Sequence, residues 1–225
     1  MVGELMKTKY RTVIAILISL GICVGFSPAP TSVAAVGSAP APPEVRNYSI
    51  DAGQSEFMVH ASVGGLFSTF GHNHNIAIKD VSGQTEFTDG TVTPASLRMK
   101  IRADSLKVTD KVSDSDRETI EKSMRDQVLE TAKYPEITFK STTIEVVKNS
   151  DTQFQGNIWG DLTLHGVTHN IFIKTQLTFE PKAVRARGEF SLKMTDYSIK
   201  PPSVAGGTIT VKDTLKFNFN ILSHG

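Results

Sequence analysis

Thr208-Ile-Thr-Val-Lys-Asp-Thr-Leu-Lys-Phe-Asn-Phe-Asn-Ile-Leu222, close to the C-terminus, alternates apolar and polar side chains without a break from Leu215 to Ile221. Leu215, Phe217, Phe219 and Ile221 fall on one side, and Lys216, Asn218 and Asn220 on the other. A period of two is the signature of a half-buried strand, because successive side chains of extended backbone point to opposite faces. The same period recurs upstream. Phe57, Val59, Ala61 and Val63 share a face, and Leu97, Met99 and Ile101 alternate with Arg98, Lys100 and Arg102. Ile137 and Phe139, then Ile144 and Val146, form another strand, and Ile158, Leu162 and Leu164 line one side of Gly156–His165. Asn170–Phe179 and Gly188–Met194 continue the series.

Asp89-Gly90, Asn149-Ser150-Asp151, Gly166 and Gly206-Gly207 punctuate these runs with residues that accept tight or left-handed backbone. Seven to nine strands in hairpin-like succession exclude a parallel βαβ plan and leave an antiparallel sandwich or barrel. One helix interrupts them, predicted over Ser113–Ala132. Ile120, Met124 and Val128 recur every four residues, Ser115 and Glu118 read as a capping box, and Tyr134-Pro135 ends it. Its narrow apolar stripe suggests a flap or plug across the barrel.

The N-terminal stretch has a different character. Lys7, Lys9 and Arg11 precede an apolar run from Val13 to Val24, and small residues and prolines follow from Pro28 to Ala35. This is the anatomy of a secretory signal peptide, with cleavage expected after Ala35. The run of about a dozen residues is short of the roughly 20 that span a bilayer. Cys23, the sole cysteine, follows Ile22, which fits a lipoprotein motif poorly. Residues 1–35 are therefore assigned to the signal, 36–46 to a flexible Ala/Pro-rich leader and 47–223 to a single domain. Without Lys7, Lys9, Arg11 and Glu4, 21 basic and 22 acidic residues remain, a net charge near −1. That balance offers no electrostatic case for nucleic acid. A mature chain without cysteine forms no disulfide and must fold on its core alone.

Catalytic signatures are missing: the chain has no phosphate-binding glycine loop, GxSxG elbow, CxxC or HExxH. Histidines are the one feature with sharper chemistry. As a strand, Phe70-Gly-His-Asn-His-Asn-Ile-Ala-Ile78 would put Phe70, His72, His74, Ile76 and Ile78 on one face. His165 and His169 flank a turn at Gly166-Val167. Two histidines at i and i+2 with a distant third can hold a transition metal or anchor a ligand headgroup. The plainer reading is a strand-entry turn whose imidazoles bond nearby carbonyls. Phe57, Phe67, Phe70, Ile76, Met99, Ile101, Phe139, Trp159 and Phe172 are candidates for lining a channel. A barrel of about eight strands either fills its interior or holds one small apolar ligand. Periodicity does not separate the two.

Ordered landmarks along the chain resemble the YceI-like family. They are Tyr48-Ser-Ile-Asp51 with Ser55-Glu-Phe57, then Lys133-Tyr-Pro-Glu-Ile-Thr-Phe-Lys-Ser141, Gly160-Asp-Leu-Thr-Leu-His-Gly-Val-Thr168 and Asp196-Tyr-Ser-Ile199. The resemblance runs over about residues 47–222, with the helix at Arg117–Leu129 in its place. It implies an all-β, antiparallel, lipocalin-like barrel whose hydrophobic channel takes an isoprenoid lipid, such as a polyprenyl quinone or its precursor. It also implies a periplasmic binding or carrier protein rather than an enzyme, with no cofactor. The chain departs from the usual pattern around Phe67–Ile78, within Gly65-Leu-Phe-Ser-Thr-Phe-Gly-His-Asn-His-Asn-Ile76, and at His169, where Lys or Arg is common. Two alternatives stay open: a metal-binding periplasmic protein built on His72 and His74, and a stress-response or structural barrel without a ligand. Whether the protein is a homodimer is also open at this level.

Overall fold

The computed structural model describes residues 44–65, 73–88 and 93–225. The segment read as a signal peptide, most of the leader, and Phe67, Phe70 and His72 lie outside the described residues.

Among the described residues, eight strands close into an antiparallel ring. They are β1 (Val45–Ile50), β5 (Val81–Thr88), β6 (Pro94–Arg102), β8 (Glu136–Lys148), β9 (Gln153–Leu164), β10 (Val167–Glu180), β11 (Ala183–Lys193) and β14 (Thr214–His224). The ring shuts where β1 meets β14, with Ser49 opposite His224 and Ile50 opposite Ser223. β1 begins two residues before the predicted domain start and β14 ends one residue beyond the predicted limit.

Three strands of the ring break at short kinks and continue as β2 (Glu56–Ala61), β4 (His74–Ile78) and β7 (Leu106–Val108). The first kink is a 3-10 turn, Ala52–Gln54, capped by Asp51, whose Oδ1 accepts from the N–H groups of Gly53 and Gln54. Another 3-10 turn, Ala103–Ser105, separates β6 from β7. It is stitched to the β4–β5 break through the Ser105 hydroxyl, which accepts from the Asp80 N–H and donates to the Arg102 carbonyl. A small second sheet, β12 (Ser203–Val204), β13 (Ile209–Val211) and β3 (Val63–Gly64), follows on from β2.

The kinks leave β7 as an edge, and exposed backbone edges invite unwanted pairing. The helix α1 (Asp114–Ser123) covers this one with side chains. Glu121 Oε1 accepts from the Val108 N–H at 3.1 Å, and the Arg117 guanidinium donates to the carbonyls of Val108 and Asp110. The Glu121 carboxylate is buried against Lys107 Nζ at 2.8 Å and Arg125 Nη1 at 3.7 Å. Of the predicted stripe, Met124 is buried and Val128 packs half-buried against the core, whereas Ile120 stays outside it and Glu121 is buried instead. Hydrophobic spacing could not reveal a carboxylate held for its hydrogen bonds.

The helix is also shorter than predicted, and its cap differs. Ser113, rather than Ser115, is the N-cap: its Oγ accepts from the Asp116 N–H and donates to the Asp116 carboxylate. Asp116 stands at N3, where a capping box places its acid, but accepts from the cap hydroxyl rather than from its backbone N–H. A π-helical turn, Met124–Val128, replaces the last α-turns and carries Leu129 into the core.

Burial alone would raise the Glu121 carboxyl, but the hydrogen bonds from Lys107 and Val108, with the charges of Lys107 and Arg125, hold it below its usual value of 4.5. A carboxyl depressed by folding stabilises fully above its unfolded range, and the contribution fades as pH falls through the lower folded value. Glu121→Ala leaves the Val108 N–H and two cations without their acceptor. We expect it to cost about 2 kcal/mol in urea unfolding at neutral pH, with the deficit shrinking below about pH 4.

Candidate functional site: an uncharged cavity inside the barrel

Inward-facing positions of the strands converge on a cavity of about 190 Å³. β6 contributes Leu97, Met99 and Ile101, and β8 contributes Ile137, Phe139 and Ile144. Ile158, Leu162 and Leu164 come from β9, and Ile171, Ile173 and Leu177 from β10. Phe190 stacks on Phe217, with ring centroids 4.7 Å apart, and Phe57 meets both edge-on at 6.3 Å. None of the lining residues carries a charge. The few polar atoms among them belong to groups such as Tyr48, Thr138 and Thr175, and the Thr175 hydroxyl already donates to the Arg187 carbonyl at 3.0 Å.

Two inward glycines shape the wall. A Cβ at Gly160 would sit 2.3 Å from Phe139 Cζ and 2.7 Å from the Lys140 carbonyl, and one at Gly188 would sit 2.6 Å from Phe219 Cζ. Their absent side chains let those two rings lie against the strand rather than fill the interior.

Each end of the cavity meets a cluster of side chains. At one, Tyr48, Phe87, Phe154 and Phe179 interlock edge to face, with centroids 5.0 to 5.7 Å apart. At the other, Met124, Leu129, Leu164, Met194, Tyr197 and Ile199 belong to the main core. Tyr197 is 1% exposed, and its hydroxyl is the one buried side-chain polar atom without a protein partner among the described residues. Burial, helped by the Asp196 charge, pushes its pKa up.

The sequence-derived candidates divide. Phe57, Met99, Ile101 and Phe139 line the cavity. Ile76 is buried in the same core but is not part of the lining. Trp159 and Phe172, expected in the channel, lie on the outer face instead. They oppose each other in register on β9 and β10, their rings are 4.9 Å apart, and Phe172 is 48% exposed. The parity of β9 contained this result: with Ile158, Leu162 and Leu164 inside, an odd position must point out.

The described histidines do not converge. His74 Nδ1 is 3.0 Å from Asp110 Oδ2, in a knot where the Asp110 carboxylate also accepts from the Asn75 backbone and side-chain amides. His169 Nε2 donates to the Asp196 carbonyl at 2.8 Å. His165 Nε2 is 2.7 Å from Glu130 Oε2 and its Nδ1 is 3.2 Å from the Tyr197 carbonyl. Both of its ring nitrogens thus face protein oxygens. No group of three or more His, Cys, Asp or Glu placed to hold a metal ion occurs among the described residues.

His165 also has a positional role that spacing did not show. His165 and Gly166, with φ of +51° and +75°, form the two-residue turn between paired Leu164 and Val167. The turn therefore sits one residue before the predicted Gly166-Val167. Two positive φ values match the turn type whose twist suits a hairpin. His165→Ala loses both ring bonds and keeps the strained φ, and we expect it to cost about 2 kcal/mol. His165→Asn, which tolerates left-handed backbone, should cost less in the same thermal or urea unfolding experiment.

Residues 48–222 match the YceI-like domain model. A UPF0312 protein of Pseudomonas syringae pv. tomato is 36% identical over 94 residues, which cover 39% of this chain and 47% of that protein. The chain thus spans about half the length of that curated relative. A UPF0312 protein of Shewanella sp. (strain ANA-3) is 30% identical over 149 residues, 63% of this chain and 72% of the relative. Among solved structures, Burkholderia cenocepacia BcnA superposes with a TM-score of 0.58 at 15% identity, over 77% of this chain and 98% of that one. A domain from Saccharophagus degradans, described as polyisoprenoid-binding and implicated in plant cell wall breakdown, gives 0.58 at 17% identity over 79% and 98%. These likenesses agree with the eight-stranded barrel, and with a domain match over most of its length the chain belongs to the YceI-like family.

Proposed function

We propose that this protein is a secreted, periplasmic carrier that holds the apolar chain of an isoprenoid-type lipid, such as a polyprenyl quinone or its precursor, inside the barrel. The observation that carries this reading is the uncharged wall of the cavity, whose lining residues are nearly all aliphatic or aromatic. Such a site rewards removal of hydrocarbon from water and offers little else. At about 0.8 kcal/mol per buried CH₂, each five-carbon isoprene unit supplies roughly 4 kcal/mol. The strength of binding is therefore set by how many units the wall encloses and needs no catalytic or charged partner. The polyisoprenoid-binding description of the Saccharophagus degradans domain supports the choice of lipid class. The basic, apolar and small-residue order of residues 1–35 supports the location.

The same wall supports binding rather than turnover: apart from the Tyr48 phenol, its lining has no ionisable side chain to donate or abstract a proton. Organic extraction of protein purified from its native compartment, followed by mass spectrometry, should release one isoprenoid-type lipid per chain at most. Ile158→Trp, which fills the interior, should raise the Kd for a farnesyl-chain fluorescent probe at least tenfold while unfolding by less than about 3 kcal/mol earlier. Protein that is consistently empty and fails to bind the probe removes the carrier reading.

A further inference from the structure

Among the described residues the barrel is not sealed by backbone pairing along its whole circumference, and we infer that the apolar chain enters and leaves sideways, between β6 and β8. This rests on the carrier reading of the cavity. The ladder between the two strands runs from Arg102 opposite Glu136 to Arg98 opposite Lys140 and goes no further. β8 nevertheless continues for eight residues, Ser141 to Lys148, paired with β9 alone. β6 continues for four, Pro94 to Leu97, paired with β5 alone. By contrast, the ladders of β9 with β10 and of β11 with β14 run nearly the full length of their strands.

The sequence of both lips explains why the seam parts. Pro94 has no N–H to give to a ladder. The register of β8 slips between Ser141 and Thr143, so Thr142 is an extra residue that bends the strand away. A side chain closes the last step: the Leu97 N–H donates to Ser141 Oγ at 2.9 Å, in the place of a backbone carbonyl. Beyond that bond no main-chain hydrogen bond joins the two strands among the described residues.

The seam lies directly over the cavity. Pro94 and Leu97 on one lip and Ile144 on the other are all lining residues. Parting the lips further exposes the cavity without breaking a backbone ladder. The β10–β11 ladder also stops short, at Lys174 opposite Glu189, but there His169 Nε2 bonds the Asp196 carbonyl beyond its end. Opening the adjoining β5–β6 or β8–β9 seam costs a continuous run of hydrogen bonds, and opening either end means displacing interlocked side chains. A long hydrocarbon entering broadside also avoids threading end-on past Tyr48, Phe87, Phe154 and Phe179. The Leu97–Ser141 bond is then the latch at the foot of the portal.

Pinning the lips together tests this. In the full chain with Cys23→Ser, Ser96→Cys and Thr143→Cys put outward thiols on opposite lips, to be joined by a short bifunctional maleimide. Asn157→Cys with Lys174→Cys, opposed on the intact β9–β10 ladder, is the control. Stopped-flow binding and release of the farnesyl-chain probe should both slow at least tenfold in the cross-linked seam, with Kd changed less than twofold and control rates unchanged. Ser141→Ala, which removes the latch with a minimal change of shape, should speed release several-fold. Cross-linked protein that exchanges probe as fast as the uncross-linked variant overturns the portal while leaving the carrier reading intact. Unmodified protein that binds no probe overturns both.

Discussion

Everything in this barrel depends on how β14 divides its two edges. One edge is taken along the strand's full length by β11, whereas the other is shared, β1 at its C-terminal end and β2 across its middle. A strand edge has one row of donors and acceptors, so two partners in succession require a break between them. The 3-10 turn capped by Asp51 supplies that break. Because β5 with β4, and β6 with β7, track β1 with β2, the offset propagates through three strands and surfaces as the free edge of β7. The buried Glu121 carboxylate answers that edge. A carboxylate and a guanidinium do there what a further strand would otherwise do, and the helix that bears them brings Met124 and Leu129 to the end of the interior.

Much of this was legible in the residues. Strands whose two faces differ, such as Leu215 to Ile221, declare themselves through their period, and the antiparallel plan follows from their number and turns, while closure into a barrel was implied by the family resemblance. What escaped was whatever depends on hydrogen bonds rather than hydrophobicity. Glu121 looks like a solvent-facing residue of an amphipathic helix until the unpaired Val108 N–H is known. Ser113 and Ser115 are equally good caps on paper, and only the path of the chain out of β7 chooses between them. Residue type alone suggests shared chemistry among histidines, but His74 faces the Asp110 carboxylate, whereas His165 and His169 each meet a backbone carbonyl.

The site was legible in its composition and less so in its geometry. Phe57, Met99, Ile101 and Phe139 were recognisable as lining because each sits in a strongly alternating strand. Trp159 and Phe172 were drawn inward by their size, against the parity of their own strands. The contribution of Gly160 and Gly188 leaves no hydrophobic signal at all, since it consists of space withheld from a side chain. A packed core and a lined cavity differ here by a few such omissions, which periodicity does not register.

The outward position of Trp159 has an optical consequence. It is the chain's only tryptophan, held against Phe172 on the outer wall and opposite Thr143 on the freely edged part of β8. Intrinsic emission from this protein therefore reports on the outside of the barrel, beside the parted seam. An indole there is shielded from the interior, yet lies within energy-transfer range of any absorbing group placed in the cavity across a single wall. The molecule carries its own donor, separated from its cavity by the thickness of one sheet.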